Sequence, residues 1–270
     1  MKKLLILIFI FIQFSITASV VDTVSILSTA MQTECKAVVV VPDKYSENKN
    51  ITWAVVYLLH GWSGKYSDWA NKTELEGLAD KYEFIIVCPD GGYAGWYLDS
   101  PINKNSQYET YIAFEVIDFV DKNYRTIKDS TGRFITGLSM GGQGAIRLIA
   151  KYPNVFDAAG SMSGVMDLRE ASHKFGITQL LGEYESNKDL WQNESCLKIV
   201  ESLVGKNKGL IIDCGIDDRF IESNRNIHKI MMDLNIEHDY YERPGGHSWD
   251  YWVNALEYHL LYFKRKMNQQ

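Results

Sequence analysis

One short segment near the middle of the chain constrains the fold more than any other. Residues 134–142 read Phe-Ile-Thr-Gly-Leu-Ser-Met-Gly-Gly, an apolar run that ends in G-x-S-x-G. An amphipathic stretch over 141–152 follows directly, so the pattern predicts a strand, a sharp turn and a helix, the context that this motif requires. Side chains at Gly137 and Gly141 would collide where strand and helix crowd the turn. The segment therefore predicts an exposed nucleophile, Ser139, at the carboxyl edge of a sheet.

The rest of the chain alternates short apolar runs with helix-length amphipathic segments. This alternation predicts an α/β fold, with a mostly parallel central sheet and helices on both of its faces. The predicted strands are 37–41, 53–59, 84–88, 134–138, 158–162, 210–214 and 240–243. The predicted helices are 111–124, 141–152, 221–234 and 250–264. No repeat or linker-like tract divides the pattern, so residues 20–270 are expected to form one domain.

The charge balance excludes one class of partner. The chain has 28 Lys and Arg against 34 Asp and Glu, a formal net charge of −6. Basic residues cluster only at 264–266, so no surface for nucleic acid is expected.

The first residues have the layout of a secretory signal peptide. Lys2 and Lys3 precede an apolar run over 4–12, and small residues follow at 17–19. A membrane span needs about 20 apolar residues, so this run is short for one. An uncleaved anchor is the alternative. We expect a signal peptide over residues 1–19, cleaved near Ala18 or Ser19, and a secreted or periplasmic mature protein without a stable membrane span.

The four cysteines indicate no metal site. Cys35, Cys88, Cys196 and Cys214 form no CxxC pair, and export would permit disulfides without naming partners. Cys88 and Cys214 each end an apolar run, which favours buried free thiols for both.

A serine hydroxyl needs a base to take its proton, and His247 is the best candidate. The motif and the alternation of strands and helices together predict the α/β-hydrolase fold, in which the acid follows the serine and the histidine comes last, and this order excludes His60. The other histidines fall in predicted helices, at a strand edge or before the candidate acids, whereas His247 lies in the glycine-rich loop 244–249. The acid must follow the predicted strand 210–214. Asp217 and Asp218 are both candidates, and Asp218, further along the turn, is preferred.

Two backbone groups are the candidates for an oxyanion hole. In this fold one N–H comes from the residue after the nucleophile, here Met140, and one from the loop after an early strand, here Trp62. His60, which also closes that strand, is expected mainly to support the loop by hydrogen bonding.

Taken together, these motifs resemble the esterase D-like family, which includes S-formylglutathione hydrolases, tributyrin esterases, feruloyl esterases and mycolyltransferases. The resemblance runs from about Cys35 to about Phe263. It is carried by Leu-Leu-His-Gly at 58–61, Gly-Trp-Tyr-Leu-Asp-Ser-Pro at 95–101, Tyr-Glu-Thr-Tyr at 108–111, Gly-Leu-Ser-Met-Gly-Gly at 137–142, Cys-Gly-Ile-Asp-Asp at 214–218 and Pro-Gly-Gly-His-Ser-Trp at 244–249.

The resemblance supports Asp218 as the acid and the amide of Trp62 as an oxyanion donor. Asp217 departs slightly from the family's usual turn. The resemblance also puts the loop with Trp96 and Tyr97 beside the active site, where the two rings could form an aromatic wall for an acyl group or pack beneath the loop as core. With His60, these are the candidate substrate-binding residues.

The segment 172–195 is less periodic than its surroundings. It is expected either to lie over the active site or to form a plain surface connection.

The resulting functional hypothesis is a serine esterase that acts through an acyl-enzyme without metal or organic cofactor. The expected substrate is a small ester or an acylated carbohydrate, with feruloyl or acetyl groups as candidate acyl groups. An acyltransferase with a sugar acceptor is the main alternative, because both reactions share the acyl-enzyme. A carbohydrate-binding module without catalysis fits less well, since a binder needs no activated nucleophile.

Overall fold

A computed structural model of the protein describes residues 20–171 and 173–269. The expected signal peptide, residues 1–19, lies outside the described residues. Among the residues described, no helix has both the length and the apolar character needed to cross a membrane.

A single eight-stranded sheet forms the centre of the described chain. Its strands are β1 (Val20–Ser28), β2 (Thr33–Val41), β3 (Val55–Leu59), β4 (Ile85–Pro89), β5 (Arg133–Leu138), β6 (Ala158–Met162), β7 (Gly209–Gly215) and β8 (Asp239–Arg243). Their order across the sheet is β1-β2-β4-β3-β5-β6-β7-β8. The pairs β1–β2 and β2–β4 are antiparallel, and all the others are parallel. The prediction of a mostly parallel sheet is confirmed.

Helices connect the strands. They are α1 (Lys44–Glu47), α2 (Asp68–Lys72), α3 (Leu75–Tyr82), α4 (Tyr108–Thr110), α5 (Ile117–Asn123), α6 (Met140–Lys151), α7 (Thr178–Leu181), α8 (Lys188–Glu194), α9 (Cys196–Ile199), α10 (Ile221–Asp233) and α11 (Trp249–Met267). A π-helical turn over Tyr111–Val116 joins α4 to α5.

Two apolar cores lie on opposite faces of the sheet, because successive strand residues point to opposite sides. On β3, Val55 and Tyr57 belong to one core, which is covered by α5, α6 and α10. Val56 and Leu58 belong to the other, which α3 and α11 cover. The expectation of helices on both faces is confirmed, and β3 is apolar on both sides as a covered parallel strand should be.

The structure differs from the sequence prediction mainly at the amino end. β1 was not predicted, because the polar residues at 22, 23 and 25 interrupt its apolar residues and it lies at the edge of the sheet. Its partner β2 begins at Thr33, four residues before the predicted start. All four cysteines are buried and free, so none forms a disulfide.

The parallel strands place several loops at one edge of the sheet. The carboxyl ends of β3, β5, β7 and β8 lead into the turns that carry Trp62, Ser139, Asp218 and His247. In open α/β sheets this edge is where ligands bind.

Candidate active site

Ser139 lies on the turn between β5 and α6, as the motif predicts. Its backbone has φ 53° and ψ −115°, which L-residues rarely adopt and which costs about 1–3 kcal/mol. The turn is tight because the neighbouring strand is close. A Cβ added at Gly137 would lie 2.7 Å from the Leu59 carbonyl oxygen, and one at Gly141 would lie 2.6 Å from the same atom.

His247 contacts both Ser139 and Asp218. Its Nε2 lies 3.0 Å from the Ser139 Oγ, and its Nδ1 lies 2.9 Å and 3.1 Å from the two carboxylate oxygens of Asp218. This arrangement suits a neutral imidazole that donates from Nδ1 to the carboxylate and accepts the serine proton at Nε2. The three side chains come from separate loops, 79 and 29 residues apart in sequence, which supports a built site rather than a local turn.

The surroundings of Asp218 keep it ionised. Burial alone would raise the pKa of the Asp218 carboxyl. The hydrogen bond and electrostatic attraction to His247, together with the hydrogen bond from the Phe220 N–H, instead bring that pKa below its usual range. The Phe220 N–H donates at 2.9 Å. Asp217, the alternative acid, is exposed, and within the described residues its carboxylate forms no hydrogen bond or ion pair with His247. The structure therefore brings Asp218, and not Asp217, to the histidine.

The two candidate oxyanion donors flank Ser139. Met140 is the first residue of α6, and Trp62 follows the end of β3, which pairs in parallel with β5. Within the described chain, neither backbone N–H donates a hydrogen bond to another protein group. Both donors are therefore available to a developing oxyanion, and at Met140 the start of α6 also favours negative charge.

A cavity of about 350 Å³ opens above Ser139 and His247. Its lining is strongly aromatic, and the rings are those of Trp62, Trp96, Phe175, Phe220, Trp249 and Trp252. Trp62 packs edge-on against Phe175 at 5.1 Å, and Trp252 packs edge-on against His247 at 4.8 Å.

The candidate substrate-binding residues divide into two groups. Trp96 lines the cavity, and its Nε1 donates to the Phe175 carbonyl at 2.9 Å. Tyr97 and His60 do not line it. The Tyr97 hydroxyl donates to the His60 carbonyl at 2.9 Å, and His60 Nε2 accepts the Gly91 N–H at 2.8 Å. Both side chains are buried behind the cavity wall, so of the three candidates the structure brings only Trp96 to the cavity.

Sequence reasoning did not identify Phe175, Arg219, Phe220 and Trp252 as cavity residues. Phe220 and Arg219 directly follow Asp218, so their nearness to the acid was the available signal. Phe175 belongs to the segment 172–195, and its position at the cavity means that part of this segment lies beside the active site. No local pattern indicated that contact.

No group of three or more metal-ligating side chains that could hold an ion occurs in residues 20–171 and 173–269. The site instead offers a nucleophile, a base, an acid and backbone donors, the set that acyl transfer uses.

Comparison with known proteins agrees with this geometry. The Esterase family model matches residues 28–263 of the chain. An acetyl esterase of Caldicellulosiruptor saccharolyticus is 28% identical over 225 residues, covering 75% of this chain and 82% of the relative.

Two further relatives differ in the activity that their names state. The diacylglycerol acyltransferase/mycolyltransferase Ag85B of Mycobacterium leprae is 28% identical over 249 residues, covering 75% of this chain and 73% of that protein. A solved ferulic acid esterase structure superposes with a TM-score of 0.81 at 27% identity, covering 93% of this chain and 99% of that one.

Proposed function

Because the chain belongs to the Esterase family and is therefore a carboxylic ester hydrolase, we propose that Ser139, His247 and Asp218 perform its chemistry. The observation that carries the proposal is the unbroken contact from the Ser139 hydroxyl through His247 to Asp218. A buried acid on the far nitrogen of the base holds the tautomer that accepts the serine proton.

The proposed reaction proceeds in two halves. Ser139 Oγ attacks the ester carbonyl while His247 Nε2 takes its proton. The N–H groups of Met140 and Trp62 bind the oxyanion, a contribution of about 3 kcal/mol for each such donor. The carbon–oxygen bond to the alcohol then breaks, and His247 returns the proton to the leaving alkoxide. Water, deprotonated by His247, attacks the acyl-enzyme and releases the acid and the free serine.

The aromatic lining of the cavity supports a flat aromatic acyl group, such as feruloyl, as the preferred substrate. Aromatic rings bind such groups by offset or edge-on contacts, whereas an acetyl group fills little of the same space. The kinship to a ferulic acid esterase at 27% identity supports this choice, and the kinship to an acetyl esterase supports acetyl as the alternative. In either case the acylated alcohol is proposed to be a polysaccharide or a small alcohol outside the cytoplasm, because residues 1–19 have the layout of a signal peptide.

The deciding experiment is a comparison of purified wild type with Ser139→Ala on a panel of esters. The panel contains 4-nitrophenyl ferulate, 4-nitrophenyl acetate and acetylated xylan, with each nitrophenyl ester normalised to its rate with hydroxide. We expect Ser139→Ala to lose nearly all turnover and all labelling by a fluorophosphonate. For wild type, we expect the normalised rate to be higher on 4-nitrophenyl ferulate than on 4-nitrophenyl acetate. The control is Ser202→Ala, which removes an exposed hydroxyl that donates to the Ala150 carbonyl. Turnover and labelling that survive in Ser139→Ala would rule out the proposed nucleophile.

Acyl transfer to a sugar is the second candidate, favoured by the similarity to a mycolyltransferase over 249 residues. The two reactions differ only in what attacks the acyl-enzyme. Mass spectrometry of the products, with and without xylobiose or trehalose in the assay, separates them. An acylated sugar that forms at the expense of free acid would establish transfer, and free acid alone would establish hydrolysis.

A further inference from the structure

The cavity also contains a cationic side chain, Arg219, that the proposed reaction does not use. Arg219 follows Asp218 directly, is exposed and lines the cavity with Ser139 and His247. Within the described part of the chain, its guanidinium has no hydrogen-bond or ion-pair partner. Its donors are therefore available to a ligand.

Five of the other arginines pair with at least one carboxylate, namely Arg133, Arg147, Arg169, Arg225 and Arg243, and Arg125 donates to backbone carbonyl groups. The planar guanidinium matches a carboxylate through two parallel N–H bonds, so the carboxylate is the ligand that the Arg219 donors suit best.

Aromatic rings hold the Arg219 guanidinium in place. Its central carbon lies 5.4 Å from the Phe220 ring centre and 6.0 Å from the Phe175 ring centre. Such cation–π contacts restrain an exposed arginine without consuming its in-plane donors. The Phe220 ring in turn lies 5.1 Å from the His247 ring. Both distances are measured from the centre of the Phe220 ring. The distance from the Arg219 guanidinium carbon to the centre of the His247 ring therefore cannot exceed their sum.

A carboxylate, Asp68, also lines the cavity, but it already has a partner. Its Oδ2 accepts the Lys65 N–H at 3.1 Å. The lining of the cavity thus includes an unpaired cation and, separately, a carboxylate that is already hydrogen-bonded.

We propose that Arg219 binds a carboxylate of the substrate, so that the protein prefers esters carrying a negative charge a few bonds from the scissile carbonyl. This inference rests on the proposed function, since the same Ser139 performs the reaction. The carboxylate can belong to the acyl group or to the alcohol, and the experiment treats these as separate arms.

The acyl arm compares 4-nitrophenyl hemiglutarate with 4-nitrophenyl valerate, which have acyl chains of equal length. The alcohol arm compares 4-(carboxymethyl)phenyl acetate with 4-ethylphenyl acetate. In each arm the readout is the ratio of kcat/KM for the anionic ester to that for the neutral ester. Intrinsic differences in reactivity cancel when the ratios of variant and wild type are compared.

We expect Arg219→Gln to lower this ratio by about five- to tenfold in at least one arm, a size suited to a partly solvated charge-assisted pair. Arg219→Lys should lower it less and Arg219→Glu more. The control is Lys229→Gln, which removes one positive charge from α10 at a side chain outside the cavity. Its ratio should match wild type.

A ratio that changes by less than twofold in both arms of Arg219→Gln would overturn the inference. So would an equal fall in Lys229→Gln, because the effect would then arise from net charge. Both results leave hydrolysis of the neutral esters intact and so leave the proposed function standing. Wild type that turns over none of the four esters would instead overturn the proposed function, and this inference with it.

Discussion

Two aspartates near the end of β7 are both buried, yet they have different partners. Asp213 lies in the strand at 0% exposure, and Asp218 lies in the loop beyond it at 2%. Asp213 pairs with Arg243 and accepts a hydrogen bond from the Tyr251 hydroxyl. Asp218 instead pairs with His247.

The difference lies in whether the partner can change its charge. An arginine stays protonated at every pH at which the protein folds, so the Asp213–Arg243 pair is fixed. A histidine gains and loses a proton near neutral pH, so the Asp218–His247 pair can take part in proton transfer. The first pair should therefore matter for stability and the second for turnover.

The sharpest test of this division is Asp218→Asn, for which we expect the largest effect. An amide cannot hold the imidazole in the accepting tautomer, and the corresponding substitution in a serine protease lowers kcat by about 10⁴-fold. We expect a fall of that order, measured as kcat on 4-nitrophenyl acetate, with the circular dichroism spectrum unchanged.

Asp217→Asn is the matched control, because it makes the same chemical change one residue away at an exposed position. Its kcat should stay within about threefold of wild type, as surface substitutions usually have small effects. The reverse ranking would transfer the acid's role to Asp217.

The other half of the comparison is tested by Arg243→Met. The substitution leaves the buried Asp213 carboxylate without its cation, a change that typically costs about 3–5 kcal/mol of unfolding free energy. Urea unfolding measures it, with kcat expressed per folded molecule. We expect kcat to fall much less than in Asp218→Asn.

Arg225→Met serves as the control for stability. Arg225 forms ion pairs with Glu242 at 2.8 Å and with Glu222 at 2.7 Å, but its side chain is 46% exposed. Removing these exposed pairs should cost about 1 kcal/mol or less, because solvent screens them. Equal losses in the two variants would show that burial does not distinguish the Asp213–Arg243 pair.

The third and smallest expected effect concerns pH. A carboxyl whose pKa is lowered by folding stabilises the protein at every pH above its ordinary, unfolded pKa. That contribution is lost only as the pH falls below about 4, toward the lowered pKa of the folded state. Because the pKa of Asp218 is lowered, its carboxylate stays charged throughout mild acid. A general base must be unprotonated to accept the Ser139 proton, so we expect kcat/KM to fall by up to about tenfold per pH unit in mild acid while the protein stays folded.

The measurement is kcat/KM on a short-chain ester from about pH 5 to 9, a range that spans the ordinary titration of histidine, with circular dichroism on the same samples. Activity should return when the pH is restored. A flat profile, or a loss that follows unfolding, would remove His247 from the role of base.

The part of the site that the sequence predicted best is the part that depends on the conformation of a few consecutive residues. Gly137, Ser139 and Gly141 lie within one turn, so their constraint is visible in five consecutive residues. The choice of His247 followed from chain order and a glycine-rich loop, and the structure brings it to Ser139. Asp218 was separated from Asp217 only by preference, because two adjacent carboxylates differ in geometry and not in pattern.

The sequence was less informative where contacts join distant segments. Tyr97 and Trp96 are neighbours with the same φ of 52°, yet only Trp96 lines the cavity. That outcome depends on contacts with distant residues. Tyr97 bonds to His60, 37 residues away, and Trp96 bonds to Phe175, 79 residues away. Phe175 was missed for the same reason, since its place at the cavity depends on tertiary neighbours.

The backbone of Ser139 has a consequence for how such an enzyme evolves. Its positive φ suits glycine far better than any residue with a side chain, so the nucleophile lowers the stability of the protein that carries it. A chain with glycine at 139 would avoid this strain but would lose nearly all turnover. Selection for folding alone would therefore remove the activity, and the serine persists only in lineages that continue to need the reaction.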